Sequence, residues 1–195
     1  MVIGLTGGIG CGKSAVAALL KEQGFVVVDS DQLSHQALNE PDVIAQLVER
    51  WGRDCLGVQG LPNRKWIGKK VFADTKERQF LESVLHPRIA SMRQEMIQDK
   101  SRSYVVEIPL LFELGMQNQF DATVCVMCSD EVRLGRLKSR GLSREEAQLI
   151  INSQMPLHEK VKMADYVIFN DGSHDFLRSE VSRLTECLRV RPSGR

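Results

Sequence analysis

The sequence predicts an α/β protein: a parallel five-stranded sheet with helices on both faces, carrying a helical insertion and a helical lid. Three observations carry this reading. A glycine-rich run, Gly7-Gly8-Ile9-Gly10-Cys11-Gly12-Lys13-Ser14, lies between a strand-like and a helix-like segment. Short, largely β-branched apolar runs recur five times along the 195 residues. Helical patterns fill the long stretches between them, as crossovers between parallel strands require.

Val2 to Leu5 is the first strand and Ala15 to Glu22 the first helix. The run between them fits the phosphate-loop pattern G-x-x-x-x-G-K-[ST]. Its glycines let the backbone turn N–H groups inward onto phosphate oxygens, and the helix beginning near Lys13 adds its positive dipole end. Gly8, Gly10, Cys11, Gly12, Lys13, Ser14, Ala15 and Val16 are therefore expected to bind the phosphates of a nucleoside triphosphate. Lys13 would reach the β- and γ-phosphates, and the Ser14 hydroxyl would ligate Mg²⁺. A thiol at Cys11, beside Lys13 and a helix N-terminus, is expected to ionise more easily than a free cysteine.

Val26-Val27-Val28-Asp29 is the second strand, joined to the first by the helix as a parallel pair. Asp29-Ser30-Asp31 then falls at the C-terminal end of that strand, where open α/β sheets gather ligands. Ser30 or Asp31 can equally cap the helix that starts at Gln32-Leu33. From residue 32 to 96 the pattern turns to helices: Asp42 to Trp51 on a helical face, Arg64 to Val71, and Thr75 to Leu85. His86-Pro87 is expected to break the last of these, with Pro87 opening the next helix. A connection of this length reads as an inserted acceptor-binding region (32–96). Its basic residues Arg64, Lys65, Lys69, Lys70 and Arg88 suit either an anionic acceptor or a solvated face.

Tyr104 to Pro109 is the third strand, followed by Leu110-Leu111-Phe112-Glu113; Ala122 to Met127 is the fourth and Tyr166 to Phe169 the fifth. Glu107 and Glu113 fall at the ligand edge of the sheet. Between the last two strands, Glu131 to Arg144 holds five basic residues against one acidic. Arg133, Arg136 and Arg140 share one helical face. Gly141 can end that helix, and Ser143-x-x-Glu146 is a capping box that starts another, with Leu142 and Ala147 as its staple. Two helices joined at a glycine, with arginines aimed one way, describe a lid over phosphates (131–156). Asn170-Asp171-Gly172 is a tight turn at the same sheet edge, where an adenine base could rest against backbone. Phe176, Leu177, Val181, Leu184 and Leu188 mark a C-terminal amphipathic helix, and Arg189 to Arg195 a frayed tail.

Composition limits the partners. A hydrophobic content of 43% supports a core within one domain spanning 1–195, and a net charge of +1 argues against a general nucleic-acid or membrane-surface binder. No apolar run approaches a membrane span, the N-terminus lacks a leader pattern, and five cysteines suit a reducing cytosol. Cys125 and Cys128 lie on an apolar strand with no second pair nearby, so they are expected to be buried thiols rather than metal ligands. A cytoplasmic monomer or weak oligomer is expected.

The chemistry narrows to a kinase acting on a small molecule or to a nucleotide-driven switch. The guanine-reading N-K-x-D is absent, and Asp54-Cys55-Leu56-Gly57 matches D-x-x-G only formally, since it follows a helix. A partner-driven ATPase stays open on these grounds, while the arginine lid and the insertion favour a kinase. Shikimate kinase also pairs such a loop with an acidic D-x-D after the second strand.

Leu5-Thr6 with the phosphate loop, Asp29-Ser30-Asp31, His86-Pro87-Arg88-Ile89 and Pro109-Leu110-Leu111-Phe112-Glu113 together resemble the dephospho-coenzyme A kinases. Arg136, Arg140, Gln154-Met155-Pro156, Lys160, Ala164-Asp165 and Asn170-Asp171-Gly172 extend the likeness, in order, to about residue 185. The H-P-x-I and P-L-L-F-E segments make it specific. The resemblance implies a nucleoside-monophosphate-kinase-like fold. It also implies Mg²⁺- and ATP-dependent phosphorylation of the ribose 3′-hydroxyl of dephospho-coenzyme A, the last step of coenzyme A synthesis. By position, Asp31 would orient or deprotonate the acceptor hydroxyl. Lys13, Arg136 and Arg140 would hold the transferring phosphoryl group, and Asn170 would contact ATP. Asp31, His86, Pro87, Arg88 and Leu110 would shape the acceptor pocket. Cys11 stands where the family usually has serine, at a position that works through its backbone, and Glu107 where many members have aspartate.

Overall fold

The computed structural model describes residues 1–190. In chain order the elements are β1 (Val2–Gly7), α1 (Lys13–Glu22), β2 (Val26–Asp29), α2 (Ser30–Leu38), α3 (Pro41–Trp51), α4 (Arg64–Ala73) and α5 (Thr75–Met96). These are followed by β3 (Tyr104–Glu107), β4 (Ala122–Met127), α6 (Asp130–Ser139), α7 (Arg144–Asn152), α8 (Leu157–Met163), β5 (Tyr166–Phe169) and α9 (His174–Val190). The chain forms two compact units, Ser30–Gln98 and the remainder, Met1–Asp29 with Asp99–Arg195. No described helix is long and apolar enough to cross a membrane.

The larger unit holds the sheet, with strand order β2-β3-β1-β4-β5 and every pair parallel. Burial explains the order. β1 and β4 each carry five consecutive buried residues, as interior parallel strands do, whereas β2 and β5 bury one residue each and take the edges. One expectation is corrected here: β1 and β2 do not pair, because β3 lies between them. The α1 crossover spans that extra position, and β3, buried along Tyr104, Val105 and Val106, suits the interior better than β2. On one face Ile3, Leu5, Val105, Val124, Val126 and Ile168 pack with Val16, Leu19 and Leu20 of α1 and Val181, Leu184 and Leu188 of α9. On the other, α8 packs on β4. There Gly4 admits a close approach: a Cβ on it would meet Leu111 at 2.5 Å and Phe120 at 2.9 Å. β3 itself ends at Glu107, two residues short of the expected Pro109.

The smaller unit is a helical cluster around Trp51. Ala37, Leu38, Val43, Leu47, Cys55, Ile67 and Leu85 are buried with it, and its ring meets Trp66 and Phe80 edge-on at 6.0 and 5.4 Å. The Trp51 Nε1–H donates to Glu77 at 2.6 Å, so the indole is both packed and satisfied. His86-Pro87 does not break the helix as expected: α5 runs through Pro87 from Thr75 to Met96. An interior proline removes one backbone hydrogen bond and costs about 3 kcal/mol. Leu85 on one side of it, with Ile89 and Met92 on the other, pack into the Trp51 cluster and hold both halves in line.

Smaller differences follow from local chemistry. α2 begins at Ser30 rather than Gln32, so Ser30 and Asp31 form its first turn. The Ser143–Glu146 capping box is present in full, opening α7 as expected. α8, with no strong periodic signal in seven residues, is an element the sequence pattern does not reveal. Of the expected frayed tail, Arg189 and Val190 close α9, and the rest lies outside the described residues.

Candidate active site

The phosphate loop leaves β1 at Gly7 and enters α1 at Lys13, with Gly7, Gly10 and Gly12 at φ of 147°, 80° and 93°. Positive φ at these three glycines turns the peptide planes of the loop, and side chains at Gly7 and Gly12 are also excluded by space. A Cβ on Gly7 would lie 2.2 Å from the Val126 carbonyl, and one on Gly12 2.2 Å from Asn170 Nδ2. Beside the loop is a cavity of about 370 Å³, lined in part by Gly10, Gly12, Lys13, Ser14, Arg136 and Arg140. Ala15, Asn170, Gly172 and His174 also line it, and Ile9 and Leu177 add apolar surface.

The loop's carbonyls have partners all along the run. Lys13 Nζ donates to Gly7 O at 3.1 Å and Gly8 O at 3.3 Å, and the Cys11 N–H also donates to Gly8 O. Arg133 Nε donates to Ile9 O at 2.8 Å. Arg136 Nη1 donates to Gly10 O at 3.5 Å and Cys11 O at 3.3 Å, and Asn170 Nδ2 donates to Cys11 O at 2.8 Å. Carbonyls bound to cationic and amide donors are held away from the anion, which leaves a concave run of N–H groups for phosphate. On the opposite flank the Ile9 N–H donates to Gln154 Oε1 at 3.1 Å.

The predicted residues divide accordingly. Gly10, Gly12, Lys13, Ser14, Ala15, Arg136, Arg140 and Asn170 all line one cavity. Gly8, Cys11 and Val16 are buried in the loop and helix beneath it. Arg136 is half-buried and held by the loop and by Asn170, whereas Arg140, the C-cap of α6, is exposed to the cavity. Arg133, grouped at first with the lid arginines, is 4% exposed and serves the loop backbone. Asn170 is buried too, with its side chain engaged with Cys11 O and Arg136.

The residues expected on the acceptor side are not among those lining this cavity. His86 and Pro87 are exposed on α5, and Arg88 makes a two-pronged ion pair with Glu40. That pairing holds the Glu40 carboxyl below the usual carboxylate range. Asp31 is exposed in the first turn of α2, two residues beyond the end of β2. Leu110 is exposed just after β3. Asp29 and Glu107 stand side by side in register at the C-terminal ends of β2 and β3.

Two networks escape sequence reasoning. Lys160, fully buried, donates to Glu113 and to Pro109 O, both at 2.7 Å, so Glu113 has a cationic partner inside the protein. Only their separate places in the family-like segments pointed to them; the pairing spans 47 residues that include β4, α6 and α7. Cys11 and Cys128 form the second. A hydrogen bond from the Cys128 thiol pulls Cys11 down to about 6 against the opposing effect of burial, with Arg133 and Lys13 adding smaller attractions. The expected direction holds, while the chief cause is Cys128. Its own ionisation is pushed up by the same contact and by burial, and burial takes Cys125 to about 12. All five cysteines are free, and only Cys187 is exposed.

Comparison with known proteins adds the following. Residues 1–175 match the dephospho-CoA kinase family model. A dephospho-CoA kinase from Syntrophotalea carbinolica is 40% identical over 190 residues, which cover 94% of this chain and 90% of that protein. Among solved structures, TT1252 from Thermus thermophilus superposes with a TM-score of 0.84 at 34% identity over 98% of both chains. A dephospho-CoA kinase from Campylobacter jejuni does so with a TM-score of 0.73 at 27% identity over 96% of both.

Proposed function

The chain belongs to the dephospho-CoA kinase family, and from that membership and its phosphate loop we propose that it transfers the γ-phosphoryl group of ATP to the ribose 3′-hydroxyl of dephospho-coenzyme A. The observation that carries this is the convergence of Lys13, Ser14, Arg136 and Arg140 on one cavity beside a loop whose carbonyls are held by other donors. Phosphoryl transfer asks little covalent chemistry of a protein; it asks for position and positive potential. Lys13 supplies a mobile ammonium, whose present partners Gly7 O and Gly8 O are weaker acceptors than a phosphate oxygen. Arg140 supplies a fork for the equatorial oxygens of the moving group.

The donor set fits Mg²⁺. Hard oxygen ligands suit the ion, which takes most of its shell from phosphates and water in such sites. Ser14 offers an exposed hydroxyl in the cavity, and Asp29 and Glu107 bring two carboxylates into register at the same sheet edge. The ion bound with ATP would neutralise charge on the phosphates. Asp31, just beyond β2, would orient the acceptor hydroxyl and take its proton. His86, Pro87, Arg88 and Leu110 would shape the acceptor side, Arg88 through the ion pair that fixes it to Glu40. Five free cysteines support a reducing, cytoplasmic setting.

The test is turnover by purified protein with Mg-ATP and three acceptors. Dephospho-coenzyme A should be phosphorylated efficiently, adenosine poorly and shikimate not at all. Adenosine keeps the reacting hydroxyl but loses the remote contacts that position it, so kcat should fall and KM rise. Equal turnover of adenosine would remove the acceptor assignment, and turnover of shikimate alone would replace it.

A further inference from the structure

We infer that Gln154 is a positioning residue for the phosphate loop, fixing the Gly8–Ile9 peptide plane in the orientation that binding ATP requires. Both sides of that plane are held. Its C=O, from Gly8, accepts from the Cys11 N–H at 3.2 Å and from Lys13 Nζ at 3.3 Å. Its N–H, from Ile9, donates to Gln154 Oε1 at 3.1 Å. The next carbonyl, Ile9 O, is held by Arg133. The Ile9 N–H is thereby withdrawn from the phosphate, and its direction sets that of the two glycines beside it.

Gln154 comes from a segment that is itself clamped. It follows α7, and the adjacent Met155 N–H donates to Glu113 Oε1 at 3.0 Å. The same oxygen accepts from the buried Lys160 Nζ at 2.7 Å, and Lys160 also donates to Pro109 O. Thr6 Oγ1, on β1 just before the loop, donates to that carbonyl as well, at 3.2 Å. A continuous polar chain thus runs from the end of β1 through Pro109, Lys160, Glu113 and Met155 to Gln154 and back to the loop at Ile9. A buried ion pair adds little stability compared with apolar packing, and fixing one geometry is its better-attested use. Here it fixes the backbone that presents Gln154.

The role follows from what ATP does to the loop. When Lys13 turns to the phosphates it leaves Gly8 O, and the Gly8–Ile9 plane then rests on Cys11 N–H on one side and Gln154 on the other. Without Gln154 the plane regains rotational freedom that binding must remove again. One neutral hydrogen bond carries a roughly three- to tenfold change in affinity.

The inference rests on the loop being an ATP site, so the experiment reads the loop and the nucleotide separately. Gln154→Met keeps the length of the side chain and removes its acceptor; Gln154→Glu keeps an acceptor oxygen. Hydrogen exchange at the Ile9 amide is followed by NMR, Kd for Mg-ATP by calorimetry and Tm by melting. In Gln154→Met the Ile9 amide should exchange faster and Kd should rise about three- to tenfold, with Tm close to the wild-type value. In Gln154→Glu the Ile9 amide should stay slow. An unchanged Kd in Gln154→Met, with the Ile9 amide freed, would overturn the positioning role. So would a fall in Tm that accounts for the loss of affinity, or an Ile9 amide freed equally in both variants. Wild-type protein that binds no Mg-ATP would bring down the ATP reading itself.

Discussion

Asn170 and Arg136 grip the same carbonyl. Asn170 Nδ2 donates to Cys11 O at 2.8 Å and Arg136 Nη1 at 3.3 Å, while Arg136 Nη2 donates to the Asn170 carbonyl at 2.9 Å and to its Oδ1 at 3.3 Å. The two side chains and the loop form a closed triangle in which each member orients the other two. An arginine expected to reach phosphate from a lid is therefore already held against the loop, next to the cavity it lines.

Because they share a partner, Arg136 and Asn170 should not act additively. Asn170→Ala leaves the Cys11 carbonyl with Arg136 as its remaining side-chain donor, a loss on the order of 0.5–1.5 kcal/mol. A double-mutant cycle with Arg136→Ala, read in Mg-ATP binding, should show a coupling of roughly 0.5–3 kcal/mol. Strict additivity would mean that the triangle contributes nothing as a unit. Arg136→Ala alone should weaken ATP binding as well as lower kcat.

Arg140 should behave differently. It is exposed at the end of α6 and lines the cavity, free to meet a phosphoryl group as charge redistributes. Stabilising arginines of this kind are worth about 10³–10⁵ in kcat. Arg140→Ala should lose kcat on that scale with Kd for Mg-ATP nearly unchanged. A loss confined to affinity would make it an ordinary binding residue.

Asp31→Asn tests the acceptor side. A general base contributes about 10²–10⁴ in rate. The substitution should lower kcat by that factor while KM for ATP moves little. If Asp29→Asn is the more damaging and Asp31→Asn mild, the carboxylate at the strand end does the work assigned to the one beyond it.

Much of this was legible in the chain itself, and the reasons differ from residue to residue. The loop is readable because its glycines, Lys13 and Ser14 are contiguous and fit one pattern between a strand and a helix. The capping box at Ser143 and Glu146 is readable for the same local reason. Strand order is not, since a crossover says that two strands are parallel and not whether a third lies between them. Pro87 misled because local propensity opposes a helix there, while apolar contacts of Leu85, Ile89 and Met92 outweigh it. Arg133 and Arg136 look alike in a basic run; only the fold shows that they hold loop carbonyls. Lys160 with Glu113 and Gln154 with Ile9 are contacts across long sequence separations, invisible to any pattern with a period.

The buried pair invites a stability test. Lys160 has no solvent contact and Glu113 little, so removing one partner leaves a charge without its counter-ion. Lys160→Met should destabilise by about 3–5 kcal/mol, measured as the shift in a urea midpoint at constant m. Adding Glu113→Gln removes the stranded charge and should recover part of that loss. A single variant as stable as the wild type would show that Glu113 tolerates the loss of its counter-ion.

The thiol pair predicts a pH dependence with a definite sign. Cys11 is lowered from 9.0 to about 6 in the folded protein, chiefly by the Cys128 thiol. Between those values the unfolded chain binds more protons at Cys11 than the native state does, so stability rises with pH. The contribution is complete above the unfolded value and is lost as pH falls through 6. Cys128 and Cys125 are raised, which works the other way: above about pH 9 the unfolded chain ionises them first, and stability falls. Tm measured from pH 6 to 8.5 should therefore climb more in the wild type than in Cys11→Ser, whose hydroxyl does not titrate in that range. Burial also decides reactivity: a bulky alkylating reagent should label exposed Cys187 well before Cys11. Parallel Tm profiles for the two proteins would show that Cys11 stays protonated, and that the contact with Cys128 does not shift its ionisation.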